Sequence, residues 1–144
     1  MERIYLDTSA YLGILLGEEE AERLQRLAEK KIFCSSVLLL IEAERNLVRL
    51  SREKVLKQEH YERAIGQLRR VHEDFLLRDF TVDLCLTGSF PAVRLPRSND
   101  LVHIRTAQWF IQNGGLERFV TLDERQRGAA LELGLPVQNG QDFK

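Results

Sequence analysis

The sequence predicts a protein of the α/β class with a three-layer α/β/α fold, in which helices flank a short parallel sheet. Short buried runs that end at turn residues alternate along the chain with longer segments whose apolar residues recur at helical spacing. Of the 144 residues, 44% are hydrophobic and 30% charged, which suits one domain with a substantial core. We therefore expect residues 1–144 to form a single domain whose strands, separated by helices, run parallel.

The N-terminal quarter of the chain predicts two strands with two helices between them. Residues 3–6 form an apolar strand, and a helix follows through Leu16. A second helix is predicted over residues 18–30, because its alanines and leucines fall on one face. Ile32–Cys34 then forms a short buried strand.

The middle of the chain is predicted to be mainly helical. Ser35 or Ser36 caps a helix over residues 37–48, since serine side chains accept hydrogen bonds from free N–H groups of a first turn. A long amphipathic helix is predicted over residues 52–77, where apolar positions recur at helical spacing. The β-branched residues within 81–84 predict a third strand.

The C-terminal third is predicted to return to strand–helix alternation after a loop. Gly88, Pro91 and Pro96 predict a loop over residues 87–97. Ser98 or Asn99 opens a helix through residue 112, which Asn113-Gly114-Gly115 ends. A strand at 119–121, a helix over 123–133 stopped by Gly134 and a last strand at 136–137 complete the prediction.

Composition excludes several classes of protein. Cys34 and Cys85 stand alone without CxxC spacing, which indicates reduced cysteines and argues against a zinc site. No apolar run approaches the ~20 residues that cross a bilayer, and the N-terminus lacks the features of a signal peptide. We therefore expect a cytoplasmic protein with no membrane partner. The net charge of −1 does not by itself indicate a nucleic-acid binder.

Four acidic residues stand where a parallel sheet would bring them together. Asp7 follows the first strand, Asp123 follows the strand at 119–121, and Asp100 lies in the first turn of a helix. Glu42 follows the apolar run 38–41 within its helix. Each aspartate could simply begin a helix, where acids are common. Ligands of parallel α/β sheets, however, bind beyond the carboxyl ends of the strands, where all four converge.

A cluster of buried carboxylates is costly unless a cation neutralises it. Carboxylate oxygens select hard ions, so Mg²⁺ or Mn²⁺ is the expected cofactor. Such an ion activates water and stabilises charge on a phosphate, which points to metal-assisted phosphodiester hydrolysis. With Asp7 as a metal ligand, capping of the first helix is expected to pass to Thr8 or Ser9.

Four short motifs resemble those of the PIN-domain family, and more closely of its VapC-type toxin ribonucleases. They are Tyr5-Leu-Asp-Thr-Ser-Ala10, Ser36 with Glu42-x-x-Arg45, Asp100-x-x-His103-x-x-x-Ala107, and Thr121-Leu-Asp123 with the segment 130–137. The resemblance covers essentially the whole chain. It implies a Mg²⁺- or Mn²⁺-dependent endonuclease specific for single-stranded RNA, often a homodimer, held by a small antitoxin protein in a type II toxin–antitoxin pair.

The resemblance also implies roles for individual residues. The catalytic acids would be Asp7, Glu42, Asp100 and Asp123. Of these, the three aspartates would hold the metal, and Glu42 would ligate it or orient the attacking water. Supporting hydroxyls would come from Thr8, Ser9 and Thr121, and RNA contacts from Arg45, Arg49, Arg52 and Lys54. The loop over 87–97 departs from the family, whose members usually have a helix before the third acid, and Arg94 or Arg97 in this loop is expected to point toward RNA instead. His103 is expected to be a packing or supporting residue, because a carboxylate site leaves little need for imidazole.

Two alternatives keep the same fold: a PIN nuclease of RNA or DNA processing that has no antitoxin, and a non-catalytic PIN-fold binding module. The presence of all four acids argues against the second. A haloacid-dehalogenase-like phosphatase also begins with a strand followed by an aspartate. That class requires a second aspartate two residues later, where this chain has Ser9.

Overall fold

The computed structural model describes residues 1–17, 26, 29–86 and 97–139. Its five strands are β1 (Arg3–Leu6), β2 (Ile32–Ser36), β3 (Phe75–Arg78), β4 (Arg118–Thr121) and β5 (Val137–Asn139). The helices of the described ranges are α1 (Thr8–Leu16), α2 (Leu38–Arg52), α3 (Gln58–Arg69), α4 (Val71–Asp74), α5 (Val82–Leu86), α6 (Ser98–Gln112) and α7 (Glu124–Glu132). No helix in these ranges has both the length and the apolar composition needed to cross a bilayer.

The five strands form one sheet in the order β3-β2-β1-β4-β5, and every neighbouring pair is parallel. The chain builds outward from β1 on one side and then returns to build on the other side with β4. The strand order therefore reverses between β1 and β4. Crevices at such reversal points, beyond the carboxyl ends of the strands, are where parallel α/β sheets bind ligands.

Two apolar layers cover the faces of the sheet, as alternate residues of a strand point to opposite sides. On one face Ile4 and Leu6 pack with Phe33, the α1 residues Tyr11 and Leu15, and α2. On the other face are Tyr5, Cys34, Phe119, Ile104, Ala107, Phe110, Ala129 and Ala130. Helices thus cover both faces, and the predicted three-layer α/β/α fold is confirmed. Each fully buried Leu, Ile or Phe contributes roughly 1.5–3 kcal/mol relative to an exposed one.

The prediction of one long helix over residues 52–77 is wrong. The chain turns after α2, where Lys54 takes a left-handed conformation (φ 59°), and then forms α3, α4 and the edge strand β3. Phe75 begins β3 and stacks on Phe33 of β2 at 5.2 Å between ring centroids. By periodicity alone, a short apolar run such as Phe75-Leu76-Leu77 suits a strand or the end of a helix equally well. Its pairing with β2 is what makes it a strand.

The predicted third strand at residues 81–84 is also wrong, because this segment enters α5 (Val82–Leu86). The position beside β2 is taken by β3, which is the edge strand of the sheet in the described residues. Arg78, at the end of β3, donates hydrogen bonds to Thr81 (3.2 Å) and Asp83 (3.0 Å) and so holds the turn into α5. The predicted helix over 18–30 and loop over 87–97 fall largely outside the described residues.

Elements that begin or end at strong local signals are close to their predicted bounds. Strand β1 and the span of α6 agree with the prediction, and Gly134 ends α7 with a φ of 71°, a conformation that favours glycine. Strand β2 is two residues longer than predicted and includes Ser35 and Ser36. Ser36 nevertheless accepts a hydrogen bond from the N–H of Leu38 (3.1 Å), so it supports the start of α2 from the strand end.

Candidate active site

A cleft of about 550 Å³ lies at the carboxyl edge of the sheet. Its lining includes all four predicted acids: Asp7 follows β1, Glu42 lies on α2, Asp100 on α6, and Asp123 follows β4. Arg45, Arg97 and His103 also line it. The fold therefore brings the acids together from four separate elements, at the point where the strand order reverses.

Asp7 is 3% exposed and is held on both carboxylate oxygens. Its Oδ1 accepts hydrogen bonds from the Ala10 N–H (2.9 Å) and the Ser9 hydroxyl (2.7 Å). Its Oδ2 accepts one from the Thr121 hydroxyl (2.5 Å). Burial raises the pKa of Asp7, and His103 together with these bonds offsets the rise only in part. The carboxylate is therefore rigidly placed but poorly compensated in charge.

The expectation that Thr8 or Ser9 caps α1 is wrong. The N-cap is Asp7 itself, whose side chain accepts from the Ala10 N–H. Thr8 is already helical, and its hydroxyl donates instead to Glu42 Oε1 (2.8 Å). One oxygen of Asp7 can cap the helix while the same carboxylate lines the cleft, so the two roles do not exclude each other.

Three hydroxyls predicted to support the site each contact an acid. Thr8 donates to Glu42, and both Ser9 and Thr121 donate to Asp7. The hydroxyl oxygens of Ser9 and Thr121 also accept the backbone N–H groups that follow β4, those of Leu122 (2.9 Å) and Asp123 (3.0 Å). These bonds connect the end of β1 to the end of β4.

Glu42 is half-buried and also held on both oxygens. Oε1 accepts from Thr8 and lies 2.8 Å from His103 Nε2, and Oε2 accepts from Asn99 Nδ2 (3.1 Å). Burial raises the pKa of Glu42, but the hydrogen bonds of His103, Thr8 and Asn99 outweigh burial and lower it overall. Glu42 is thus a fixed anion at neutral pH. Asn99 was predicted to open α6 but not to contact the site, although its place beside Asp100 was a usable signal.

Arg97 bridges the two remaining acids. Its Nε donates to Asp100 Oδ2 (3.0 Å) and its Nη2 to Asp123 Oδ2 (2.9 Å). The other oxygen of Asp123 caps α7 by accepting the Arg125 N–H (2.9 Å). Arg97, predicted as an RNA contact, thus lies on the acids of the cleft and supplies a positive charge between them.

The remaining predicted RNA contacts divide into two groups. Arg45 lines the cleft. Arg49 pairs with Glu53 (3.2 Å) farther along α2, and Arg52 and Lys54 are exposed at the end of α2 and in the turn that follows. The structure therefore brings Arg45 and Arg97 to the acids and leaves the other three along a neighbouring exposed surface.

No three histidine, cysteine, aspartate or glutamate side chains in the described ranges are grouped closely enough to hold a metal ion. The donor chemistry of the cleft nevertheless suits a hard cation, since four carboxylates line it and two of them already share the guanidinium of Arg97. Direct ligation by Asp7, Asp100 and Asp123 stays a prediction.

Comparison with known proteins gives consistent matches. The PIN domain profile matches residues 4–131. Ribonuclease VapC46 of Mycobacterium tuberculosis is 34% identical over 138 residues, which cover 95% of this chain and 97% of the relative.

Two solved structures have a similar fold. The crystal structure of VapBC2 from Rickettsia felis bound to a DNA fragment from their promoter aligns with a TM-score of 0.55 and 15% identity, covering 95% of this chain and 98% of that one. PAE2754 from Pyrobaculum aerophilum aligns with a TM-score of 0.55 and 16% identity, covering 99% and 86% of the two chains. At these identities the structural matches concern the fold alone.

Proposed function

The chain belongs to the PIN-domain family, and on this premise we propose that it is a metal-dependent endoribonuclease, the toxin of a type II toxin–antitoxin pair. The observation that carries the proposal is the single cleft lined by Asp7, Glu42, Asp100 and Asp123. The 34% identity to a relative named a ribonuclease supports RNA as the substrate.

The proposed cofactor is Mg²⁺ or Mn²⁺, held by Asp7, Asp100 and Asp123 directly or through water. Carboxylates are the ligands these hard ions prefer, and the poorly compensated charge of Asp7 would gain most from a cation. When bound, such an ion lowers the pKa of water and stabilises negative charge on a phosphate.

The protein's own groups have distinct proposed tasks. Glu42, ionised and held on both oxygens, orients the attacking water and accepts its proton. Ser9 and Thr121 keep Asp7 in place through their hydrogen bonds. Arg45 at the cleft, with Arg49, Arg52 and Lys54 along the exposed surface beyond it, contacts RNA phosphates.

Cleavage of single-stranded RNA during a titration with Mn²⁺ or Mg²⁺ tests this function. We expect cleavage to rise with the concentration of the metal, to stop in excess EDTA, and to return when the metal is restored. Single-stranded DNA of the same sequence serves as the comparison substrate. RNA cleavage that is equally fast in excess EDTA would contradict the metal mechanism.

Removal of Arg97 is expected to strengthen binding of the metal. The guanidinium competes with a cation for Asp100 and Asp123, so we expect Arg97→Gln to tighten the Mn²⁺ Kd by about two- to fivefold, the scale of an exposed ion pair. Isothermal titration without RNA measures the Kd. Arg118→Gln is the matched control, because Arg118 pairs with Glu2 at the amino end of β4. Weaker Mn²⁺ binding by Arg97→Gln would contradict this expectation and show that Arg97 assists metal binding. When a metal takes the place of Arg97 on Asp100 and Asp123, the guanidinium can contact an RNA phosphate instead.

The proposed partners are a small antitoxin protein and a second copy of the chain, acting in the cytoplasm. The shared fold with the VapBC2 structure supports the antitoxin. A small neighbouring reading frame that encodes a DNA-binding protein would distinguish a toxin from a processing nuclease. Arrest of growth on expression, relieved by coexpression of that neighbour, is the expected result in cells.

A further inference from the structure

A buried chain of hydrogen bonds leads from the sheet to the cleft. The Tyr5 hydroxyl lies 2.8 Å from Nδ1 of His103, and Nε2 of the same ring lies 2.8 Å from Glu42 Oε1. Tyr5 is fully buried and His103 is 3% exposed. Tyr5 and His103 are 98 residues apart in the sequence, so only the fold brings them together.

The position of the Tyr5 phenol is set by the aromatic core. Its ring stacks on Phe119 with centroids 5.3 Å apart and an angle of 7° between the planes. Phe110 packs against it at 6.3 Å, and the His103 ring meets it edge-on at 5.9 Å. A phenylalanine would fill this core without burying a hydroxyl, which is costly unless the hydroxyl is hydrogen-bonded. The hydrogen bond to His103 therefore compensates for the burial of the Tyr5 hydroxyl.

The partners on either side of the ring determine where the imidazole proton lies. An ionised carboxylate can only accept hydrogen bonds, so Nε2 must carry the hydrogen toward Glu42. In a neutral ring Nδ1 then has a lone pair and accepts the proton of the Tyr5 hydroxyl. Burial raises the pKa of Tyr5 well above its ordinary value, so the phenol keeps the proton that it donates.

Hydroxyls next to Tyr5 do not supply a competing proton. The Ser35 hydroxyl donates to the Leu6 carbonyl oxygen (2.6 Å), and the Thr106 hydroxyl donates to that of Val102 (2.6 Å). Both hydroxyls lie close enough to the phenol to lower its pKa in part, but each has a single hydrogen and gives it to a carbonyl oxygen. The two hydrogen bonds therefore run in one direction, with Tyr5 donating to His103 and His103 donating to Glu42.

We infer that Tyr5 and His103 are positioning residues for Glu42: the ionised carboxylate of Glu42 requires the hydrogen of His103 on Nε2, and the Tyr5 hydroxyl, by donating to Nδ1, holds the ring where its Nε2–H keeps that carboxylate in the cleft. This inference rests on the role proposed for Glu42 in RNA cleavage. It assigns His103, expected from the sequence to be a packing or supporting residue, a defined hydrogen bond on each ring nitrogen.

Nitrogen NMR of the imidazole rings in the metal-free protein tests the inference without any activity. The chain has three histidines, and loss of one signal in His103→Gln assigns the ring. We expect the wild-type ring to carry its proton on Nε2, and Tyr5→Phe to keep that tautomer but to shift the Nδ1 signal, because its lone pair loses the hydrogen bond of the phenol. Tyr11→Phe is the matched control, because Tyr11 is buried on the opposite face and its hydroxyl has no hydrogen-bond partner among the described residues. A wild-type ring protonated on Nδ1, or a spectrum unchanged in Tyr5→Phe, would overturn the inference.

Kinetics supplies the second measurement. We expect Tyr5→Phe to lower kcat for RNA by about 10- to 100-fold with KM unchanged, the usual cost of removing a group that orients an active-site residue. His103→Gln retains a donor near Nε2, whereas His103→Asn retains only one near Nδ1, so the Gln variant is expected to be the more active. Equal kcat in Tyr5→Phe and Tyr11→Phe, or an Asn variant faster than the Gln variant, contradicts the inference. If the wild type does not cleave RNA, the proposed function fails, while the NMR spectra still decide the hydrogen-bond chain.

Discussion

The Asp7→Asn protein is expected to fold and to lose RNA cleavage, with kcat reduced by more than about 100-fold. Asparagine has the shape of aspartate, so its oxygen can still cap α1 through the Ala10 N–H. It lacks the charge that the proposed metal requires. Rates of RNA cleavage in saturating Mn²⁺ measure the loss, and expression of the variant in cells is expected to cause no growth arrest.

The stability of Asp7→Asn separates loss of charge from loss of structure. Burial raises the pKa of Asp7, so the charged form is disfavoured in the fold and its removal is expected to leave the metal-free Tm unchanged or higher. Asp74→Asn is the matched control, because Asp74 is exposed and precedes β3, at the edge of the sheet opposite the cleft. Cleavage by Asp7→Asn within a few-fold of wild type, or a comparable loss in Asp74→Asn, would contradict the proposed role.

The Glu42→Gln protein is expected to bind metal nearly as well as wild type and to cleave RNA about 100-fold more slowly, the scale of a lost general base. The amide retains an oxygen for the hydrogen bonds of Thr8 and His103, so the cleft keeps its shape. It cannot accept a proton from water. Single-turnover cleavage gives the rate of the chemical step, and titration with Mn²⁺ gives the affinity.

Glu44→Gln provides the control for the same helix. Glu44 is exposed, and two residues along a helix correspond to a rotation of ~200°, so it faces away from Glu42. We expect wild-type cleavage from this variant. A large loss of metal affinity in Glu42→Gln would make Glu42 a ligand of the metal rather than the residue that orients water.

Local signals predicted the elements whose ends are marked by the residues themselves. Strand β1 is a short apolar run, and α6 ends at consecutive glycines, one of which has a φ of 112°. No residue at the ends of β3 signals a strand in the sequence. Phe75 becomes a strand residue because β2 pairs with it and the ring of Phe33 stacks on its own. Propensity favoured a strand at Thr81 and Val82, but Arg78 holds the turn that follows β3 and the chain enters α5 there.

The sequence by itself determined the α/β class and the four acids. Asp7 and Asp123 follow parallel strands, which share a carboxyl edge, and the family motifs indicated Glu42 and Asp100. It did not determine the partners of those acids. That Asp7 caps α1, that Arg97 joins Asp100 to Asp123, and that Tyr5 contacts His103 were decided by the tertiary structure. Hydrogen bonds require atoms within about 3 Å and a defined direction, and for residues far apart in the chain only packing of the sheet and helices supplies both.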